Sequence, residues 1–366
     1  MRVEPTALGD IVDFLNGKSP PKDMSGEFPV YGSNGQIGSA RSFNHKNAII
    51  LGRVGAYCGS IEICTNKFWA SDNTIVIKPK GSHDLTYLYY RLRSSPLRSY
   101  AGGAAQPLLT QTILRGVKVP FISDPVDQSD IASILSAYDD LIENNRRRIQ
   151  LLEESARLLY KEWFVHLRFP GHEHTAITDG VPEGWERKTL SELAEITMGQ
   201  SPKSIYYNEI GEGLPFHQGV TNFGTRFPTH ETYCTVANRI AEPGDILFSV
   251  RAPVGRINVT RDKIIIGRGI AAIRSRDEQQ NFLLYNLKNH FFKEDLMGGG
   301  AIFAAITKKD LHNVELLSPD SAVIKEYLEQ AEPIDRQIDI LQQMNKKAAE
   351  SRDLLLPRLM SGEVTV

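Results

Sequence analysis

The sequence repeats itself with a period near 190 residues, and this repeat restricts the chain to a duplicated architecture. Four groups of residues in the first half return in the same order in the second half, so duplication explains them better than chance. Segments 8–12 and 17–20 return as 190–194 and 199–202; segment 48–53, with Gly55 and Gly59, returns less closely as 245–251, with Gly255; segment 102–105 returns as 299–302; and Thr110 and Val117 return as Thr307 and Val314.

Each copy begins with a region that predicts a mostly β domain. Short apolar runs at residues 48–51, 74–77 and 264–266 are separated by Gly, Pro, Asn and Asp, which is typical of strands joined by turns. Short helices are predicted at residues 85–93 and 282–292. The predicted fold class is therefore α+β, with two duplicated, mostly β domains that are each followed by a long helix.

The two long helices carry their apolar side chains in an unbroken 4-3-4-3 spacing. A spacing of 3.5 residues gives a narrow seam that packs on another helix, and about 50 Å of helix is more than a globular core needs. The alternative is that each seam packs on its own domain. The seam positions are Ile131, Leu135, Tyr138, Ile142, Asn145, Ile149, Leu152, Ala156, Leu159 and Trp163, and, 196 residues later, Tyr327, Ala331, Ile334, Ile338, Leu341, Asn345, Ala348, Arg352, Leu355 and Leu359.

The position of one asparagine in each seam predicts how the helices pair. Asn145 is the fifth of ten seam residues in its helix and Asn345 is the sixth in the other. The two face each other only if the helices are antiparallel, and an unpaired buried amide costs about 1–3 kcal/mol. We therefore predict an antiparallel coiled coil whose register is set by Asn145 and Asn345. The alternative is that both asparagines face solvent at a frayed edge of the seam.

Charge and cysteine content limit the classes of function. The net charge is −2, but residues 1–125 hold 14 basic and 9 acidic residues, so charge favours nucleic-acid binding only in the first domain. Three cysteines without a Cys-x-x-Cys pair argue against a disulfide framework and a cysteine-built zinc site. No apolar run approaches the roughly 20 residues of a membrane span and the N-terminus has no secretory pattern, so we expect a cytoplasmic protein.

Near-matches to catalytic motifs each lack a required residue. The Gly17-Lys18-Ser19 end of a P-loop has Val12 where the first glycine is required. The Ser-Pro-Pro loop at residues 19–21 ends in Lys22, which cannot stack on a flipped base as an aromatic residue does. Pro319-Asp320 lacks the acidic and lysine residues of a nuclease site, and the glycines at 298–300 do not form a dinucleotide-binding motif. We expect no catalysis, no cofactor and no metal in this chain.

The sequence resembles the specificity subunits of type I restriction-modification enzymes over its whole length. The resemblance rests on Val181-Pro-Glu-Gly-Trp185 leading into Leu190, on the turn at residues 199–202, and on the closing segment 354–363, together with the duplicated layout. The first copy lacks the Gly-Trp pair, so we expect its N-terminal strand to be shortened.

The resemblance implies a division of labour between subunits. Two target-recognition domains each bind one half of an interrupted site in double-stranded DNA, and the helices act as a spacer that offers docking surfaces to two methylation subunits. Those partners use S-adenosylmethionine on adenine N6, and restriction subunits add ATP- and Mg-dependent translocation and cleavage. No membrane is involved. The domains assigned are 1–125, first recognition domain; 126–165, first spacer helix; 166–184, linker; 185–318, second recognition domain; and 319–366, second spacer helix and C-terminal tail.

The candidate DNA-binding residues lie in loops that resemble those of the family. Gly lets the backbone approach phosphate, Asn and Gln pair with adenine, and Arg pairs with guanine; the alternative at each position is a structural turn. His172-Glu-His174 is interpreted as an exposed linker rather than a metal site. The candidates are Lys18, Ser19, Tyr31, Ser33, Asn34, Gly35, Arg53 and Tyr57 in the first domain, and Gln200, Ser201, Lys203, His217, Gln218, Asn222, Arg251 and Arg256 in the second.

Two other functions stay open at this stage. One is a stand-alone adenine DNA methyltransferase with unfamiliar motifs, which would transfer methyl groups without partners. The other is an interaction scaffold that has lost DNA binding, which would show no salt-dependent binding of duplex DNA.

Overall fold

A computed structural model describes residues 2–103, 106–291 and 305–366 and shows a mixed α/β protein. Within these residues no helix is long and apolar enough to cross a membrane. Parts of one repeated anchor, residues 104–105 and 299–302, lie outside the described residues, as do the glycines at 298–300 and the last residue of the helix predicted at 282–292.

The first copy is built on a six-stranded sheet with the strand order β2-β7-β5-β6-β3-β4. A separate antiparallel pair, β1 and β8, joins the start of the copy to its end, with Val3 opposite Ile122. The strands are β1 (Val3–Ala7), β2 (Val12–Asn16), β3 (Phe28–Gly32), β4 (Gly35–Ala40), β5 (His45–Gly52), β6 (Ile61–Ala70), β7 (Thr74–Pro79) and β8 (Lys118–Ile122), and the short helices are α1 (Leu8–Ile11), α2 (Leu85–Arg93) and α3 (Gln111–Gly116).

The second copy splits the same plan into two sheets, ordered β12-β20-β17-β18 and β13-β15-β14-β19-β16. The strands that precede them are β9 (Ile177–Thr178), β10 (Val181–Pro182) and β11 (Glu186–Thr189). The others are β12 (Ala194–Met198), β13 (Tyr207–Asn208), β14 (Leu214–His217), β15 (Tyr233–Cys234), β16 (Ile240–Ala241), β17 (Ile246–Ser249), β18 (Ile257–Val259), β19 (Ile264–Ile266), β20 (Ile270–Ser275) and β21 (Glu315–Ser318), with helices α5 (Leu190–Leu193), α6 (Gln280–Phe291) and α7 (Lys308–His312).

Strand pairing shows the duplication directly. The antiparallel order β2-β7-β5 returns as β12-β20-β17, and the pair β1–β8 returns as β11–β21. A parallel pair occurs in each copy, with Tyr31 opposite Ala70 in the first and His217 opposite Ile266 in the second. The expected shortening of the first N-terminal strand is wrong, because β1 has five residues and its counterpart β11 has four. The antiparallel partner β8 supports that strand without the Gly-Trp pair.

Two helices of 40 residues follow the copies: α4 (Pro125–Phe164) and α8 (Ser321–Met360). Every predicted seam position in both helices is buried or half-buried. Pro333 and Pro357 lie within the second helix without ending it. The heptad spacing therefore identified the inward faces of both helices correctly.

The chain divides into two compact units, and each contains part of both long helices. Unit 1 comprises residues 1–148 and 341–366, and unit 2 comprises residues 149–340. Within unit 1, Nδ2 of Asn145 donates a hydrogen bond to Oδ1 of Asn345 at 2.9 Å. Within unit 2, the rings of Trp163 and Tyr327 lie edge to face with centroids 5.9 Å apart. In unit 1 the N-terminal part of α4 contacts the C-terminal part of α8, and in unit 2 the C-terminal part of α4 contacts the N-terminal part of α8.

A hydrogen bond between a tyrosine and an aspartate joins the β domain of unit 1 to its helices. The hydroxyl of Tyr90, in α2, donates to Oδ2 of Asp139, in α4, at 2.6 Å. The guanidinium of Arg352, in α8, pairs with the other oxygen of the same carboxylate. Nη1 of Arg91 also donates to the carbonyl of Met360 at 3.2 Å. The domain and both helices thus share one polar junction beside a common apolar core.

Unit 2 repeats this junction with a different arginine. The hydroxyl of Tyr285, in α6, donates to Oδ1 of Asp335 at 2.7 Å, and Asp335 lies 196 residues after Asp139. Arg226, in a loop of the β domain, donates to Asp335 at 2.5 Å and to Glu153 at 3.2 Å. Only 4% of the Arg226 side chain and 8% of Asp335 are exposed to solvent. This buried network holds α4, α8 and the second β domain together.

Replacing Arg226 with methionine tests this network. The change leaves Asp335 buried without its cation, and loss of one partner from a buried pair costs about 3–5 kcal/mol. We expect a large fall in the urea midpoint of unfolding. The matched control is Arg147→Met, which removes an exposed partner of Glu143 and should cost less than about 1 kcal/mol. Equal losses in the two variants would contradict the role assigned to Arg226.

Candidate nucleic-acid interface

In unit 1, the loop after β2 lies against the loop between β6 and β7. The Lys18 amide donates to the carbonyl of Ala70 at 3.0 Å, and the indole of Trp69 donates to the carbonyl of Lys18 at 3.1 Å. The Ser19 hydroxyl donates to Oδ2 of Asp72 at 3.0 Å. A Cβ at Gly17 would lie 1.8 Å from the carbonyl oxygen of Ser71, so only glycine permits this approach. The sequence motif at 17–20 is therefore a structural contact between two loops.

Ser33 joins the β3–β4 turn to two further loops. Its hydroxyl donates to the carbonyl of Asn73 at 2.7 Å and accepts from the amide of Val54 at 3.4 Å, while its carbonyl accepts from the Ser60 hydroxyl at 2.6 Å. The Arg53 amide donates to the same Asn73 carbonyl at 3.0 Å. Ser33 thus holds the loop cluster together, and its hydroxyl is already engaged within the protein.

The other candidates in unit 1 differ in how far they reach solvent. Lys18, Ser19, Asn34 and Tyr57 are exposed, and Tyr57 is the one large hydrophobic residue among them and is 61% exposed. Gly35 has φ +90°, which the tight β3–β4 turn requires.

Tyr31 and Arg53 are half-buried, as are Ser33 and Gly35. Tyr31 packs edge to face on Phe68, and burial raises the pKa of its hydroxyl to about 12. Arg53 has a buried Nε without a hydrogen-bond partner. Among the described candidates of unit 1, Arg53 Nε is the one buried side-chain polar atom without a hydrogen-bond partner.

Unit 2 builds an equivalent cluster from the second copy of the motif. The Gln200 amide donates to the carbonyl of Ile266 at 3.0 Å, as Lys18 does to Ala70. The Ser201 hydroxyl donates to Oε1 of Gln218 at 2.7 Å and accepts from the amide of Arg268 at 3.2 Å. Gln200, Gln218 and Arg268 are exposed. One hydroxyl therefore fixes both the Gln218 amide and the backbone that carries Arg268.

His217 does not present its side chain for binding, which corrects the prediction for this residue. Its side chain is 3% exposed, and its Nε2 lies 2.9 Å from Nδ1 of His230. Nε2 of His230 lies 3.0 Å from Asp262. Burial, with His230 as a second cause, lowers the pKa of His217 to about 4. Phe216 and His217 are both buried at the end of β14, and exposure begins at Gln218, the first residue after the strand.

Arg251 is not the structural counterpart of Arg53. The carbonyl of Arg53 accepts from the amide of Leu109 at 2.9 Å, and the matching acceptor in the second copy is Val250, bonded to Ile306 at 2.9 Å. Arg251 is thus one position further along its loop. It is exposed. The less close match of the two apolar runs concealed this one-residue offset.

The remaining candidates of unit 2 lie in separate turns. Arg256 is exposed and its amide donates to the Ser249 hydroxyl at 2.8 Å. Lys203 is exposed and its carbonyl caps a short turn through Tyr206. Asn222 is half-buried and its carbonyl accepts from Thr229 at 2.9 Å. Among the described residues, none of these three forms a hydrogen bond or ion pair with Ser201, Gln218 or Arg268.

Sequence reasoning missed the loops that complete both clusters. Residues 71–73 connect β6 to β7, and residues 267–269 connect β19 to β20. Asp72, Asn73 and Arg268 are exposed in these loops. The available signal was a short polar interruption between two apolar runs, which marks a turn. It does not indicate that this turn meets the motif about 50 to 70 residues earlier in the chain.

The linker histidines form a local turn. Nδ1 of His172 lies 2.8 Å from the carbonyl of Phe169, and residues His172–His174 form one short 3-10 turn. Throughout residues 2–103, 106–291 and 305–366, no three His, Cys, Asp or Glu side chains are grouped closely enough to hold a metal ion.

The pKa of His217 predicts a pH-dependent stability. The ordinary value of 6.5 applies to the unfolded chain and about 4 to the folded one, so the unfolded chain alone gains a proton as pH falls between them. Stability is therefore present above pH 6.5 and falls towards pH 4, with a loss of about 2 kcal/mol between pH 7.5 and pH 5. Urea unfolding of His217→Gln should show a smaller pH dependence. His174→Gln, which changes an exposed ring, should keep the wild-type dependence; a wild-type slope in both variants would contradict this account.

Comparison with known proteins identifies the family. The family described as the type I restriction modification DNA specificity domain matches residues 2–154 and 182–350. A putative type I restriction enzyme MjaX specificity subunit from Methanocaldococcus jannaschii is 32% identical, over 88% of this chain and 78% of the relative. The MjaIX specificity subunit of the same organism is 25% identical, over 97% and 89% of the two chains.

A solved structure shares the fold. The crystal structure of the type I restriction-modification S subunit from M. genitalium has a TM-score of 0.64 and 18% identity, and covers 98% of this chain and 96% of that one. The two family matches also coincide with the two copies of the repeat. On these grounds the chain belongs to the family of type I restriction-modification specificity subunits.

Proposed function

We propose that this chain recognises a bipartite sequence in double-stranded DNA, one half with each β domain. The observation that carries the proposal is the duplicated loop cluster. Each unit brings the 17–20 or 199–202 motif against the end of a parallel strand pair, and exposes polar side chains there. Two similar binding surfaces in one chain favour an interrupted site with two different halves.

The long helices are proposed to form an antiparallel coiled coil that sets the distance between the two half-sites. The hydrogen bond between Asn145 and Asn345 and the buried seam positions support this pairing. A matched pair of buried amides also disfavours a slip of one heptad, because the slip would leave both amides unpaired. The exposed faces of these helices are the proposed docking surfaces for two methylation subunits, to which restriction subunits are added.

The chemistry is assigned to the partner subunits. Val12 and Lys22 replace the residues that a P-loop and an amino-methyltransferase loop require. S-adenosylmethionine, ATP and Mg are therefore expected in the methylation and restriction subunits, and this chain is proposed to be non-catalytic. With chromosomal DNA as the ligand, the cytoplasm is the expected compartment.

A domain exchange tests the bipartite reading. Residues 185–318 are replaced with the equivalent segment of a relative, and the chimera is expressed with the methylation subunits of its own system. Because each copy contains a complete β domain, methylome sequencing should show a change in one half of the methylated motif and no change in the other.

Two controls accompany the exchange. The unaltered chain with the same methylation subunits defines the starting motif, and the purified chain alone, incubated with labelled S-adenosylmethionine and DNA, should transfer no methyl group. A change in both halves of the motif would show joint recognition and contradict the proposal.

Asparagine substitutions test the helix pairing. Asn345→Leu leaves the amide of Asn145 buried without its partner, so we expect a loss of about 1–3 kcal/mol in the free energy of unfolding. The double variant Asn145→Leu/Asn345→Leu removes both amides and should recover most of that stability. Chemical denaturation of the two variants measures the difference. A double variant no more stable than Asn345→Leu would show that the two amides do not act as a pair.

A further inference from the structure

We infer that Arg268 and Asp72 select bases in the two DNA half-sites, Arg268 in the second domain and Asp72 in the first. This inference rests on the proposed function. Both residues are exposed at the centre of a three-residue loop, 267–269 or 71–73, that follows the strand of the parallel pair. The loops occupy equivalent places, because Val250 donates to the carbonyl of Gly269 at 2.9 Å as Arg53 does to Asn73 at 3.0 Å.

Each loop is held by the serine of the repeated motif. Ser201 accepts from the Arg268 amide at 3.2 Å, so the backbone of Arg268 is fixed while its guanidinium makes no contact with Ser201. Ser19 instead donates to Oδ2 of Asp72 at 3.0 Å, which fixes the carboxylate and leaves Oδ1 outside this bond. A fixed loop with an exposed polar end is the arrangement that recognition of a base edge requires, because the ordering cost is already met by the fold.

The two side chains have opposite charge, and this difference predicts different base preferences. An arginine fork pairs with O6 and N7 of guanine in the major groove. A carboxylate accepts only, so it favours the exocyclic amino group of cytosine or adenine, and it is repelled by phosphate. We expect guanine in the half-site of the second domain, opposite Arg268. We expect a base that offers an amino group in the half-site of the first domain, opposite Asp72.

Gln218 supports the assignment of Arg268. Oε1 of Gln218 accepts from Ser201 at 2.7 Å, which turns the amide so that its NH₂ group is the end left for DNA. Two neighbouring groups that donate only, the Arg268 guanidinium and the Gln218 NH₂, suit the acceptor-rich edge of guanine.

The test uses the complex of the chain with the methylation subunits of its own system. Methylome sequencing gives the motif, and binding of the purified complex to a duplex with that motif and to an unrelated duplex is measured over a salt series. Arg268→Ala should weaken binding to the motif about 10- to 100-fold and relax one guanine position in one half-site. Arg268→Lys keeps the charge but not the fork, so it should keep the salt dependence and still relax that guanine.

Asp72→Asn should not weaken DNA binding as Arg268→Ala does, if Asp72 faces a base. Removal of a negative charge near phosphate should strengthen binding to the unrelated duplex, while one position in the other half-site becomes permissive. The matched controls are Arg276→Ala and Asp13→Asn, which remove the same charges away from these loops. Arg276 directly follows the far end of β20, and Asp13, in β2, is paired with Lys78 near the far end of β7. Both controls should keep the motif.

The outcomes separate this inference from the proposed function. A wild-type complex that methylates no bipartite motif overturns the proposed function itself. A bipartite motif that Arg268→Ala and Asp72→Asn leave unchanged overturns only the base-selecting role of these residues. Arg268→Ala that weakens binding to both duplexes equally, with Arg268→Lys behaving as wild type, identifies a phosphate contact and also overturns that role.

Discussion

The structure depends on one aspartate in each long helix, Asp335, which is buried, and Asp139, which is half-buried. Asp139 and Asp335 each accept a tyrosine hydroxyl from the β domain that precedes their helix. A buried carboxylate is costly unless donors surround it, so the tyrosine and an arginine must reach it together. This requirement fixes the orientation of each domain on its helix, and the apolar contacts around it add stability without directional preference.

The duplication preserved the aspartate and tyrosine but not the arginine. In unit 1 the cation is Arg352, from the second helix, whereas in unit 2 it is Arg226, from a loop of the β domain. The same electrostatic requirement was thus met from two places in the chain. The loop clusters differ in a similar way, since the serine of the motif bonds a carboxylate in one copy and a backbone amide in the other.

Periodic features of the sequence predicted the structure well. The heptad spacing located both helices and their buried faces, the apolar run at 264–266 matches β19, and residues 85–93 match α2. Such patterns indicate which side chains are buried, and they can be recognised from residues close together in the sequence. The site was less predictable, because it depends on which distant loops meet. The ring of His217 is buried, Arg251 is offset from Arg53 by one residue, and Arg268 gave no signal beyond a turn.

Most of the hydrogen bonds that hold the loop clusters have a backbone atom as at least one partner. Glycine at position 17 allows a close approach to the Ser71 carbonyl, and Arg53, Lys18 and Gln200 are each held through their amides rather than their side chains. The side chains of Lys18 and Gln200 are exposed and are not the groups that make these bonds. Substitutions at such positions are therefore expected to change what the loops present to solvent without the loss of stability that accompanies changes in a core.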